Sequence, residues 1–301
     1  MVVLVTGATG LIGKALVAQL LQKGHVVHYL TTSPNKLQTS PNYKGFLWNP
    51  KLGQLDEQAL VQVEVIFHLA GATIAKRWTT SYKNEILHSR VQSSQTLFKF
   101  LQAKPHQVKQ LIAASGTAIY PNHPTKIYHE NQAVASPQFL GQVVQAWEAA
   151  TSQFTALGIA VCQLRTGVVY APKGGALPQM VLPIKWGLGS VMGQGNQVQS
   201  WIHLQDSVGL YLYAMEHAWV GPYNAVSPEP ISNRKQTKLL AKLLNRPLWL
   251  PATPQWVMRL FLGEMHQLLF TDARLSCQKA LDAGYEFQFP TAKSALKNCL
   301  A

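Results

Sequence analysis

The sequence predicts an α/β fold of the Rossmann type, a doubly wound parallel sheet with a smaller C-terminal, substrate-side domain. Three observations predict it. The chain opens Met1-Val-Val-Leu-Val-Thr-Gly-Ala-Thr-Gly-Leu-Ile-Gly13, a β-branched apolar run followed by a glycine turn and a helix start. Strand-like and helix-like stretches then alternate as far as Arg165, the pattern of parallel strands joined by helical crossovers. Beyond Thr166 the alternation loosens into short pieces between Pro172, Gly174, Gly175, Pro178, Pro183, Gly187, Gly189, Gly193 and Gly195. The expected division is 1–165 for a nucleotide-binding part and 166–301 for a substrate-side part interleaved with the sheet.

Each element has its own reason. Residues 2–5 form a buried strand, Gly7 makes the tight turn, Gly10 lets backbone approach a phosphate, and Gly13 lets the next helix lie close. The G-x-x-G-x-x-G spacing is one residue wider at its first step than the general dinucleotide fingerprint. Free N–H groups and the helix dipole at such a turn hold a pyrophosphate. Gly7, Thr9, Gly10, Leu11, Ile12 and Gly13 are therefore candidate cofactor residues; the alternative is a structural turn with no ligand. Residues 24–31 form the second strand. A NAD-selective protein often ends it with an acid for the ribose hydroxyls, but here Thr31, Thr32, Ser33, Pro34, Asn35 and Lys36 follow. No carboxylate repels a 2′-phosphate, and Thr32, Ser33 and Lys36 can bind one, so NADP is favoured over NAD; a merely polar loop is the alternative.

Residues 46–48 read as a third strand, 56–63 as a short helix and 65–71 as a fourth strand. The last ends in a glycine turn that brings Leu69, Ala70 and Gly71 to the ligand-binding edge. A long helix over 80–103, a strand over 107–114 with Ser115 at its exit, a helix over 139–157 and a strand over 158–165 complete the alternation. Later helices are expected at 206–218, with Asp206 at the start, and at 233–244 and 254–262.

The composition bounds the function. With 301 residues, 47% hydrophobic and 13% charged, the chain suits a globular enzyme. It shows no basic leader and no apolar run long enough to span a bilayer. Cys162, Cys277 and Cys299 are too far apart for a disulfide framework or a zinc spacing, which suggests a reducing, cytoplasmic setting. The net charge of +13 comes from scattered Lys and Arg, so nucleic acid and membrane are not expected partners, while an anionic cofactor or substrate would be favoured. His25 and His28 would face opposite sides of a strand, and no metal site is expected.

Several stretches resemble one family. Thr6-Gly-Ala-Thr-Gly-Leu-Ile-Gly13, His68-Leu-Ala-Gly71 and the strand-end Ser115 are similar to the extended short-chain dehydrogenase/reductase superfamily. The closer likeness is to its atypical branch, the epimerase family protein group, which is NAD(P)-dependent epimerase/dehydratase-like. It is carried by Lys76-Arg77-Trp78-Thr79, Ser89-Arg90, Leu164-Arg-Thr-Gly-Val-Val169 with Gly174-Gly175, Trp201-Ile-His-Leu-Gln-Asp206, and Gly221-Pro-Tyr-Asn-Ala-Val-Ser-Pro228. The C-terminal remainder resembles that group's appended domain.

The resemblance implies NADP on the Rossmann part and a small-molecule substrate between the two parts, without naming the substrate. It implies that Ser115 orients a carbonyl oxygen beside the nicotinamide; a loop-satisfying serine is the alternative. Tyr120, at the superfamily's Tyr-Gly turn, is the second catalytic candidate, with structural packing as its alternative. Two departures stand out. Thr32 sits where the group often has Arg, and Phe139 and Val143 sit where the superfamily has its Tyr-x-x-x-Lys pair, a loss the atypical group shares. Lys76, Arg77 and Trp78 read as an anion clamp or as a solvated loop over a packed Trp. Arg165 reads as a buried paired charge, His203 and Asp206 as a network or a core histidine, and Trp201 as close to a ligand. Two classes stay open: an NADP-dependent oxidoreductase or epimerase-like enzyme, and a catalytically weak nucleotide-binding sensor or regulatory protein; a third, lipid- or membrane-surface association through the basic charge, has only composition behind it. Apolar residues on more than one face of the helices over 80–103 and 139–157 suit a homodimer.

Overall fold

The computed structural model describes residues 1–132 and 135–301. Its central sheet is parallel and carries β1 (Val2–Thr6), β2 (Val26–Thr31), β3 (Tyr43–Asn49), β4 (Val63–His68), β5 (Gln110–Gly116), β6 (Ala160–Thr166) and β7 (Gly221–Ala225). The spatial order is β7-β6-β5-β4-β1-β2-β3, with two-residue strands Thr39–Ser40 and Gln54–Leu55 antiparallel to β3. The chain builds outward from β1 to β3, then returns to the far side of β1 and builds outward again. That reversal lies between β1 and β4, and their carboxyl ends open the crevice in which such sheets bind ligands.

Side-chain alternation along the strands makes two cores. Val3, Val5, Val27, Tyr29, Phe67 and Cys162 point to one face, where Leu16 and Leu20 of α1 (Leu11–Gln22) cover them. Leu4, Leu30, Ile66, Leu111 and Val161 point to the other, under Leu97 and Leu101 of α2 (Thr80–Ala103). Beside α2 lies α3 (Phe139–Ser152), continued by a 3-10 turn Gln153–Leu157. A third core, with Trp201, Tyr170 and Leu296, joins α4 (Leu177–Lys185) to the C-terminal helix Ala292–Leu300.

Among the elements that differ from the sequence expectation, two show why. The helix expected over 56–63 is only a 3-10 turn, Glu57–Leu60, capped by Asp56 Oδ1 accepting from Gln58 N–H at 3.0 Å. Gln62 then takes a left-handed φ of 59°, and the β-branched Val63 and Val65 go to the sheet. The helix expected from Asp206 is α5 (Leu204–Glu216), and its cap is His203, whose Nδ1 accepts from Gln205 N–H at 3.2 Å. Asp206 is buried in the first turn and accepts from the backbone N–H groups of Gln288 and Phe289 at 2.7 and 3.0 Å. Its carboxylate ties the C-terminal segment to α5. The second part also returns to the sheet, because β7 pairs with β6 from Gly221↔Cys162 to Ala225↔Thr166.

Candidate functional site

Gly7 is left-handed (φ +70°), and a Cβ there would stand 2.7 Å from Leu69 O. Gly13 lies so close beneath the turn that a Cβ would come within 2.2 Å of Gly7 O. Only glycine fits at either position, and the two close approaches press α1 against the end of β1. Gly10 is the helix cap, and the first intrahelical bond is Lys14 N–H to Gly10 O at 3.0 Å. The amides of Leu11, Ile12 and Gly13 precede that bond, so the helix offers an anion its dipole and its first-turn donors. These residues fit a dinucleotide's pyrophosphate.

Beside the turn lies a cleft of about 790 Å³. Of the candidate cofactor residues, Gly7, Thr9, Thr32, Ser33, Lys36, Ala70 and Gly71 line it. Gly10, Leu11, Ile12 and Gly13 form the adjoining helix start, and Leu69 backs the glycine turn, its N–H donating to Thr6 O at 3.2 Å. Sequence reasoning did not assign the opposite wall: Trp48 and Asn49 at the end of β3, Pro50, Lys51 and Asp56 after it, and Ser89, Gln92 and Ser93 on α2. The carboxyl-edge rule that found the ends of β2 and β4 applies equally to β3. Glu85 also lines the cleft, paired with Lys51 at 2.7 Å.

A buried relay fixes the two strand ends that frame the crevice. Ala70 N–H donates to Thr6 Oγ1 at 3.0 Å, and the same hydroxyl is hydrogen-bonded to His68 Nδ1 at 2.8 Å. His68 then donates from Nε2 to Ser94 Oγ at 3.0 Å, and Ser94 donates to Arg90 O. Burial pushes the His68 pKa down to about 4 and so keeps the imidazole neutral; with Nε2 carrying the proton for Ser94, Nδ1 accepts from the threonine.

The two catalytic candidates belong to a second network. Ser115 Oγ donates to Glu148 Oε1 at 2.5 Å. Arg165 is buried and grips the same carboxylate through Nε and Nη2, each at 2.8 Å. Its Nη1 donates to Tyr120 OH at 2.8 Å, and Tyr120 donates to Asn224 Oδ1 at 2.8 Å. Burial alone would lower the Arg165 pKa, but the paired bonds and charge of Glu148 raise it. Burial raises the Tyr120 pKa, against the opposing pull of Arg165. Arg165 is thus the buried paired charge the sequence suggested, and the hydroxyls of Ser115 and Tyr120 are both engaged by this pair and its neighbours.

Phe139 and Val143 pack with Trp78 and Ile86 in an apolar cluster that also takes Met265 and Leu268 from the second part. Trp78 is buried, with Nε1 donating to Ile74 O at 3.0 Å, which is the packed arrangement; Lys76 sits 5.6 Å from the Tyr82 ring. Trp201 is corrected: it is fully buried, stacked on Tyr170 at 4.9 Å, and its Nε1 donates to Glu229 O, away from the cleft. Arg90, read from the sequence only as part of the Ser89-Arg90 stretch of the resemblance and given no role there, lies 4.9 Å over the Trp147 ring and donates to Ala72 O and Ile86 O; burial lowers its pKa to about 10.

Residues 3–227, from β1 past the end of β7, match the model of the NAD dependent epimerase/dehydratase family. The chain belongs to that family. Residues 253–299 match a second model, described as a domain of unknown function (DUF1731). Among the family's members, epimerase family protein YfhF of Bacillus subtilis is 34% identical over 297 residues, covering 98% of this chain and 97% of the relative. The human epimerase family protein SDR39U1 (isoform2), solved with NADPH, superposes with a TM-score of 0.87 at 29% identity, covering 100% and 99% of the two chains. The UDP-glucose 4-epimerase of Thermus thermophilus, solved with NAD, shares the fold at a TM-score of 0.78 and 18% identity, covering 100% and 98%. The family is nucleotide-binding, and its extended short-chain dehydrogenase/reductase architecture, with a C-terminal domain appended, is that of this chain.

Proposed function

We propose that the protein binds NADP(H) and acts as an oxidoreductase or epimerase-like enzyme on a small molecule. The observation that carries this reading is the cleft wall after β2, where Thr32, Ser33 and Lys36 stand together without a carboxylate. A 2′-phosphate is accepted by hydroxyls and a cation and rejected by an acid. The human relative's NADPH supports the same choice. Bound NADP would supply hydride chemistry; this chain's residues would hold the pyrophosphate at Gly10–Gly13 and place Ser115 at the end of β5. Calorimetric titration with NADPH and NADH tests the cofactor, and NADPH absorbance against carbonyl and nucleotide-sugar substrates tests the chemistry.

A second reading is a catalytically weak nucleotide-binding sensor or regulatory protein. It is favoured by one observation: Phe139 and Val143 are packed into an apolar cluster, and neither can carry a proton. A positioned acid or base is worth about 10²–10⁴-fold in rate, so its loss leaves slow turnover or none. The buried free thiols Cys162, Cys277 and Cys299 suit a cytoplasmic setting. Among the described residues no helix is long and apolar enough to cross a membrane. A homodimer through α2 and α3 is proposed on their apolar faces.

A further inference from the structure

The second part carries a surface unlike the rest of the molecule. Helix α6 (Asn233–Leu243) is followed by α7 (Gln255–Leu262), which buries none of its residues. Trp256, Leu260 and Phe261 on α7, with Trp249 before it and Trp186 after α4, are each between 67% and 73% exposed. They belong to adjoining segments. Gly187 lies against the Trp249 indole and Gly189 against Leu248, while Gly193 N–H donates to Thr253 O and Thr253 N–H to Val191 O, each at 2.8 Å. Exposed Leu188 and Leu182 continue the apolar area. Soluble monomers rarely leave so many large apolar side chains together in water.

Charge identifies what covers it. From Pro230 to Gly263 the chain has six cations, Arg234, Lys235, Lys238, Lys242, Arg246 and Arg259, and no Asp or Glu. All six are exposed, as is Lys185 beside Trp186. Exposed tryptophans flanked by Lys and Arg are the composition of an element that lies in the headgroup region of an anionic bilayer. A second copy of this face would set the same cations against one another, with no acid between Glu229 and Glu264 to receive them.

We propose that α7, with Trp249 and Trp186, docks this protein peripherally on an anionic lipid surface. The aromatic side chains enter the interface, and Arg246 and Arg259, which flank Trp249 and Trp256 in the chain, meet the headgroups.

The test uses the full-length protein with vesicles of phosphatidylcholine alone and with about a third phosphatidylglycerol, read by flotation and by the blue shift of tryptophan emission. Binding to the anionic vesicles only, weakened by salt, is expected. Trp256→Ser with Phe261→Ser should reduce partitioning at least tenfold. Arg246→Ala or Arg259→Ala should each reduce it about fivefold, the worth of one cation at such a surface. Leu52→Ser, exposed but remote in sequence, should leave it unchanged. Circular dichroism and NADPH titration confirm that each variant is folded. Equal binding to both vesicles, binding to neither, or undiminished binding by the Trp256/Phe261 variant would overturn the proposal. So would a mass that halves in that variant while the parent ignores vesicles, which would make the face a contact between copies.

Discussion

Ser115 Oγ and Glu148 Oε1 stand 2.5 Å apart, and Arg165 grips the same carboxylate, with Nε on that oxygen and Nη2 on Oε2. The serine that the resemblance assigns to a substrate carbonyl is thus also the third member of a buried ion pair. The two roles separate by substitution. Glu148→Ala leaves a buried guanidinium without its partner and should cost about 3–5 kcal/mol of stability in urea titrations. Ser115→Ala removes one bond to a charged group and should cost about 1.5–3 kcal/mol. If turnover of a found substrate survives Ser115→Ala unchanged, the catalytic reading gives way to the sensor.

Gly10→Val should abolish cofactor binding while the protein still folds. Gly10 has φ −76°, which any residue adopts, but its Cβ would press on the backbone oxygen Gly7 O at 3.2 Å, so the turn must shift by a few tenths of an ångström to admit a side chain. The added atoms occupy the space a pyrophosphate needs. Retained NADPH binding with a normal melt would remove the glycine turn from the site.

NADPH should bind more tightly than NADH, and Lys36→Glu should reverse the order. Loss of a charge-assisted contact to a phosphate, and gain of a repulsive one, should weaken NADPH at least about tenfold while leaving NADH nearly unchanged. Calorimetry that shows equal affinities in the parent protein would exclude the 2′-phosphate reading of Thr32, Ser33 and Lys36.

His68 predicts an acid-labile crevice. The folded protein holds it neutral down to about pH 4, while the unfolded chain protonates it near its ordinary 6.5. Between those values the unfolded state binds more protons. The contribution is therefore complete above about pH 6.5 and is lost progressively as the pH falls to about 4. The difference amounts to about 3 kcal/mol. Unfolding free energies measured from pH 7 to pH 4 should fall less steeply for His68→Gln than for the parent, and parallel slopes would refute the assignment.

The sheet and the glycine turn were legible because local rules decide them: β-branched runs, close approaches only glycine permits, and breaks after each strand. The long helix was legible to the residue, at Thr80–Ala103. The Glu57–Leu60 turn was not, because the demand of β4 for Val63 overrode a helix-like local pattern. The wall made by Trp48, Asn49 and Asp56 was hidden for a different reason. The carboxyl-edge rule marks the end of β3, but it is the pairing of β3 beside β2 that brings these residues to this cleft. Glu148 likewise gains its meaning from Ser115 and Arg165, 33 and 17 residues away.

The pairing of β7 with β6 also decides how the chain can be cut. A product ending after residue 165 would strip β6 of its neighbour and leave its N–H and C=O groups open along the sheet margin, a template for aggregation. It would also lose the segment that Asp206 ties down through Gln288 and Phe289. The nucleotide half is therefore not a detachable module for fusion or domain shuffling. Any shortened gene should run at least through Phe289, and surviving recombinants should exchange the two parts together.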